Sequence, residues 1–168
     1  MNITLRIPGY LLDMILTDLR RRHEFARERV GFVCCKQAPV PSGHLLLAYK
    51  YTPIRDKQYI ENQTVGAEFD ASAIREAMQL ALDEDAAVLH VHLHDHPGRP
   101  SMSKTDNREI QALMPCFVSL CPKRVHGALV LSADRATAKV WGTHLPPDGT
   151  SMTKITSVGA RIRFLGGV

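Results

Sequence analysis

Residues 86–98 read AAVLHVHLHDHPG: an apolar run that opens as a buried strand and then carries histidine at every second position, His90, His92, His94 and His96. Successive side chains of a strand point to opposite faces, so these histidines share one side. Histidine is a poor strand former, and imidazoles repeating every ~7 Å contribute little to core packing. A metal or catalytic site is therefore the stronger reading of the pattern.

Working outward, Ser103 opens a helix predicted over 103–114 and closed before Pro115, which places Asp106 in its first turn. Upstream, Asp70 is an N-cap for a helix that runs to about Leu82 and stops at the acidic residues 83–85. Nearer the start, 2–7 alternate as a strand, and Leu11, Leu12, Ile15, Leu16 and Leu19 give 10–22 helical spacing. Strands are predicted at 28–35 and 44–52, separated by a loop with Pro39, Pro41 and Gly43, and a further strand candidate covers 59–64. Residues 125–132 and 137–141 form a hairpin, and 155–164 supply a last strand after the turn at 146–149. Interleaved but hairpin-connected elements predict a mixed α/β (α+β) fold, a mixed or mostly antiparallel sheet flanked by helices.

At 168 residues, the chain is expected to be a single domain, 1–168. Hydrophobic residues at 45% and charged residues at 23% exclude a disordered or fibrous chain. A net charge of +4, with its one basic cluster (Arg20, Arg21, Arg22) at a predicted helix end, argues against nucleic acid as a partner. Four cysteines, Cys34, Cys35, Cys116 and Cys121, form no C-x-x-C pair and read as buried thiols in a reducing compartment. The N-terminal residues lack the order of a secretory signal, and no apolar run approaches the ~18 residues that cross a bilayer, so a cytoplasmic location without membrane attachment is expected.

Two histidines on one strand face can reach a single cation, and Asp106, from the helix that follows, can supply a third ligand. A fourth, open position is what catalytic zinc needs. Ser103 and Asp106 also read as a capping box, which by itself explains both residues.

An upstream glutamate, then H-x-H-P, then S-x-x-D resembles the JAMM motif of the MPN (Mov34) metalloproteases, on Glu28, His94, His96, Pro97, Ser103 and Asp106. Glu28-Arg29-Val30-Gly31-Phe32 is similar to that family's E-x-x-G strand, and Gly31 favours Glu28 over Glu24, Glu61 and Glu68. The compact length is most similar to the prokaryotic JAB branch, found in bacterial operons beside ubiquitin-activating-like (E1-like) and conjugating-like (E2-like) enzymes, some with roles in antiviral defence. The resemblance implies an MPN/JAB-like fold with Zn2+ held by His94, His96 and Asp106. Glu28 is then the general base for a zinc-activated water, and Ser103 a donor to the oxyanion. It implies a deubiquitinase-like isopeptidase that cleaves a ubiquitin-like protein from conjugates or trims its C-terminal tail. The alternatives are a catalytically silent MPN-like scaffold, and a related hydrolase acting on sulfur-carrier proteins.

Two points stay open. The spacing to Asp106 fits the family pattern one residue short from His96 and one residue long from His94, so His92 and His94 form a second possible ligand pair. The H-P step and Asp95 favour His94 and His96, with His92 as a wall residue. Tyr59 and Gln63 are candidates to hold a substrate tail, against the plainer reading of a solvated loop.

Overall fold

A computed structural model describes residues 1–62, 64–160 and 162–167. The histidine-bearing strand, β4 (Ala87–Leu93), lies between β2 (Val30–Val40) and β5 (His126–Leu131). All of its residues are buried, as a near-continuous apolar strand covered on both faces requires. Beyond β5 come β6 (Ala136–Trp141) and β7 (Thr150–Ser151). Beyond β2 come β3 (Gly43–Pro53), β1 (Asn2–Pro8), β8 (Lys154–Val158) and β9 (Arg163–Gly166), completing a 9-stranded sheet. The pairs β4–β5, β1–β3 and β1–β8 are parallel and the others antiparallel, so the sheet is mixed.

Alternation along the strands divides the core. Leu89, Val91 and Leu93 of β4 join Val33 and Cys35 of β2 against helix α1 (Gly9–Leu19). On the other face, Val88, Phe32 and Ala128 pack beneath α2 (Ala71–Asp83) and α3 (Lys104–Leu120). His90 and His92 alternate with the first set, so they face α3. Because β4 and β5 are parallel, the chain must cross over between them, and α3 is that crossover. Its N-terminus therefore comes down beside the carboxyl end of β4, where open α/β sheets place their ligand sites.

The expected Asp70 cap is present: its carboxylate accepts from the backbone N–H groups of Ser72 and Ala73. Several boundaries differ from the sequence reading. Helix α3 does not stop before Pro115 but runs through it to Leu120, because Ile110, Met114 and Phe117 continue its buried stripe. Pro115 sits on the exposed side, where the carbonyl it leaves unpaired can turn to water. Among the described residues of 59–64 there is no strand, and Tyr59 forms an isolated bridge with Phe69. The expected last strand breaks into the antiparallel pair β8 and β9.

Helix α1 also ends earlier than predicted, at Leu19. The carbonyl oxygens of Arg21 and Arg22 accept hydrogen bonds from the buried Arg29 guanidinium, which also donates to Asp56 at 2.7 Å. Cys34, Cys35 and Cys121 are buried free thiols as expected, but Cys116 is exposed.

Candidate metal centre

β4 ends at Leu93, yet the extended chain persists for one further residue, since the His94 N–H donates to the Leu131 carbonyl at 2.9 Å. His92 and His94 are thus two apart on one face, with their Nε2 atoms 3.2 Å from each other. The chain then turns. The His96 N–H bonds back to the His94 carbonyl at 2.8 Å, and the His96 carbonyl accepts from Ala133 in the turn joining β5 to β6. Ser132 and Asp134 of that turn bind Gly98 and hold the bend in place. Alternation is lost there, and the exposed His96 ring lies with Nδ1 2.9 Å from the Pro97 carbonyl. Of the two pairs the sequence left open, His92 and His94 have their Nε2 atoms in contact distance, whereas the His96 ring stands with its centroid 6.1 Å from that of His94.

Asp106 arrives from α3. The reciprocal capping box is formed, with Ser103 N–H donating to Asp106 Oδ2 at 2.7 Å and Asp106 N–H donating to Ser103 Oγ at 3.0 Å. The same Oδ2 lies 3.7 Å from His92 Nε2 and 3.9 Å from His94 Nε2. Capping and approach to the histidines are therefore one arrangement, because the cap fixes the carboxylate toward the strand end. Burial acts against its charge, but the Ser103 hydrogen bonds and the two histidines outweigh burial and hold the carboxyl below its usual range.

Glu28 precedes β2 by two residues and is half-buried. One ligand atom from each of Glu28, His92 and His94 falls within 4.8 Å of the others. Burial raises the Glu28 carboxyl above its ordinary value; His94 opposes this and Asp106 adds to it. A raised carboxyl is better matched to proton transfer near neutrality than an ordinary one. Burial pushes the His92 imidazole down to about 4, despite the opposing pull of Asp106, so it is neutral and keeps a lone pair for a cation.

The donor spacing tests the fit to zinc. Ligand atoms about 2.0–2.1 Å from a tetrahedral ion stand roughly 3.3 Å apart. The observed separations of 3.2, 3.7 and 3.9 Å need only small side-chain adjustments to match. A cavity of about 80 Å³ opens among Glu28, Val30, Gly66, Phe69, His92 and Asp106.

His90, the remaining member of the row, is a core residue. Its ring lies among Phe32, Phe69 and His92, its buried Nδ1 has no hydrogen-bond partner among the described residues, and burial drives it down to about 3. Gly31, which singled out Glu28 in the sequence, does have a close neighbour, but that neighbour is the Tyr51 ring. Tyr51 packs against the α1-side core, so this approach is not made by the metal centre.

Tyr59 is not a solvated loop side chain: it is buried, and its hydroxyl takes the Val30 N–H at 2.9 Å. Gln63 lies outside the described residues. Tyr59→Phe is expected to destabilise the protein by about 1–3 kcal/mol, measured by urea unfolding, because the buried Val30 N–H loses its acceptor.

The sequence reading missed Gly66 and its neighbours Val65 and Ala67, which wall the cavity beside Glu28. No local pattern marks them, since they reach the centre only through long-range packing. No family model matches the chain, and no curated protein is significantly similar to it.

Proposed function

We propose that the chain is a zinc-dependent peptidase of the JAMM type, acting on an isopeptide or peptide bond at the tail of a ubiquitin-like protein. The observation that carries this reading is the convergence of Glu28, His92, His94 and Asp106 at the carboxyl end of β4. The ligand set is His92, His94 and Asp106. Zinc, when bound, supplies Lewis-acid activation of water and of the scissile carbonyl.

Glu28 accepts the proton from the attacking water, a transfer its burial favours by raising the carboxyl, and returns that proton to the leaving amine. Ser103 uses its hydroxyl proton to stabilise charge developing on the carbonyl oxygen, from the same position at which its lone pair caps α3. His92, neutral and packed under α3, keeps the donor set rigid. A ubiquitin-like protein and its conjugates are the substrates in this reading. E1-like and E2-like enzymes are its functional partners, and the cytoplasm is its location.

The test is cleavage of a ubiquitin-like protein fused through its C-terminal tail, by zinc-loaded protein and by Glu28→Gln. Cleavage at the end of the tail is expected, falling about 10²–10⁴-fold in Glu28→Gln with zinc content unchanged. Zinc binding without cleavage of any such fusion or isopeptide conjugate would overturn the peptidase reading in favour of a scaffold.

A further inference from the structure

Residues 59–62 and 64–69 belong to a narrow excursion between β3 and α2. Its stem is closed by the Tyr59–Phe69 bridge and by the Ile60 N–H donating to the Glu68 carbonyl at 2.9 Å. This excursion grips the segment leading into β2 at two points. From the stem, the Tyr59 hydroxyl holds the Val30 N–H. Nearer the far end, the Gly66 carbonyl accepts from both the Arg27 N–H, at 2.8 Å, and the Glu28 N–H, at 2.9 Å.

The side chain of Glu28 then folds back over the same glycine. A Cβ on residue 66 would stand 3.0 Å from Glu28 Cδ and Oε2, and 3.3 Å from Oε1. Favourable contacts between heavy atoms lie at about 3.5–4.0 Å. The carboxylate thus occupies the space that the missing side chain leaves, while the backbone of the same residue fixes the start of its chain.

We infer that Gly66 is the positioning residue for Glu28: its carbonyl anchors the Glu28 backbone, and its bare Cα seats the carboxylate against the His92 and His94 nitrogens. The inference rests on Glu28 being the proton acceptor in the proposed reaction. It assigns to the 59–69 excursion a part in that reaction which no residue of its own performs chemically. Any side chain at 66 pushes the carboxylate by a few tenths of an ångström. The metal donors come from the end of β4 and from α3, and the three atoms nearest to that Cβ all belong to Glu28.

The experiment compares Gly66→Ala with wild type and with Gly159→Ala, where an added Cβ meets none of the described residues within 4 Å. In the fusion-cleavage assay, Gly66→Ala is expected to lower kcat about 10-fold, in proportion to the ~10²-fold that a 1 Å misplacement can cost. KM, zinc affinity and melting temperature should stay at the wild-type values. A second readout does not depend on turnover: the 13C carboxyl resonance of Glu28 in zinc-free protein, assigned by its loss in Glu28→Gln. It is expected to move in Gly66→Ala and to stay in place in Gly159→Ala.

An unmoved resonance would overturn the inference, as would a fall in kcat that merely follows lost zinc or a lowered melting temperature. If wild type cleaves no fusion, the proposed reaction fails, and the resonance alone decides whether Gly66 seats the carboxylate.

Discussion

His92→Ala is expected to leave the protein without zinc, whereas His96→Ala is expected to bind it as wild type does. Removing a group that only orients a ligand costs roughly 10–100-fold in metal affinity, so deleting a ligand should cost well over ~100-fold. His92 brings Nε2 to 3.2 Å from His94 Nε2 and 3.7 Å from Asp106 Oδ2, and it is held neutral by burial. The exposed His96 ring lies against its neighbour's carbonyl beyond the turn. His94→Ala should behave like His92→Ala. Asp106→Ala should be worse than a simple ligand loss, because it also removes the acceptor for the Ser103 N–H and loosens the start of α3. Metal content by plasma mass spectrometry, with affinity by competition against a chromophoric chelator, reads all four variants. Zinc kept in His92→Ala and lost in His96→Ala would restore the ligand pair expected from the sequence and refute the one proposed from the geometry.

That contrast shows where the sequence was readable. The apolar run of β4, the Asp70 cap and the Ser103–Asp106 box depend on residues within a turn of one another, so local chemistry specifies them. The direction of each histidine depends on where the strand stops. The stop comes after His94, where the His96 N–H turns back to the His94 carbonyl and Ala133, from elsewhere in the chain, donates to the His96 carbonyl. A period-two pattern that runs on into HDHP carries no mark of those bonds, although Pro97, which has no N–H to give a ladder, is the one local sign that the strand was ending. Helix α3 failed in the opposite sense: a proline signalled a stop, and the buried stripe through Phe117 overrode it. A motif resemblance singles out Glu28, but its setting under Gly66 joins residues far apart in sequence, and only the folded chain displays it. The glycine that recommended Glu28 in the sequence proved to answer to Tyr51 instead.

Acidification of the zinc-free protein should unfold it well above the pH at which ordinary carboxylates titrate. Three histidines are buried and held neutral: His90 near 3, His92 near 4 and His126 near 4, each chiefly by burial. In the unfolded chain each returns to about 6.5. Between pH 6.5 and about 4, the unfolded state therefore binds up to three more protons than the folded state, so stability falls as pH falls through that window. At about 1.4 kcal/mol per proton per pH unit, the slope approaches ~4 kcal/mol per unit. A descent from pH 7 to 5 then removes about 6 kcal/mol, comparable to the entire stability of a typical domain. Glu28 works in the opposite sense, since its raised carboxyl favours protonation in the folded state, but it is one group against three. Urea unfolding of apo protein at pH 7, 6 and 5 gives the slope. His126 is the cleanest site to alter, because it lies far from the metal donors in the fold, with Nδ1 accepting from the Val88 N–H at 3.3 Å. His126→Gln offers a similar acceptor without a titrating ring and should remove about a third of the slope, roughly 1.4 kcal/mol per pH unit. A wild-type slope no larger than that of a single histidine, or one that His126→Gln leaves unchanged, would show that these rings do not govern the acid limit of the fold.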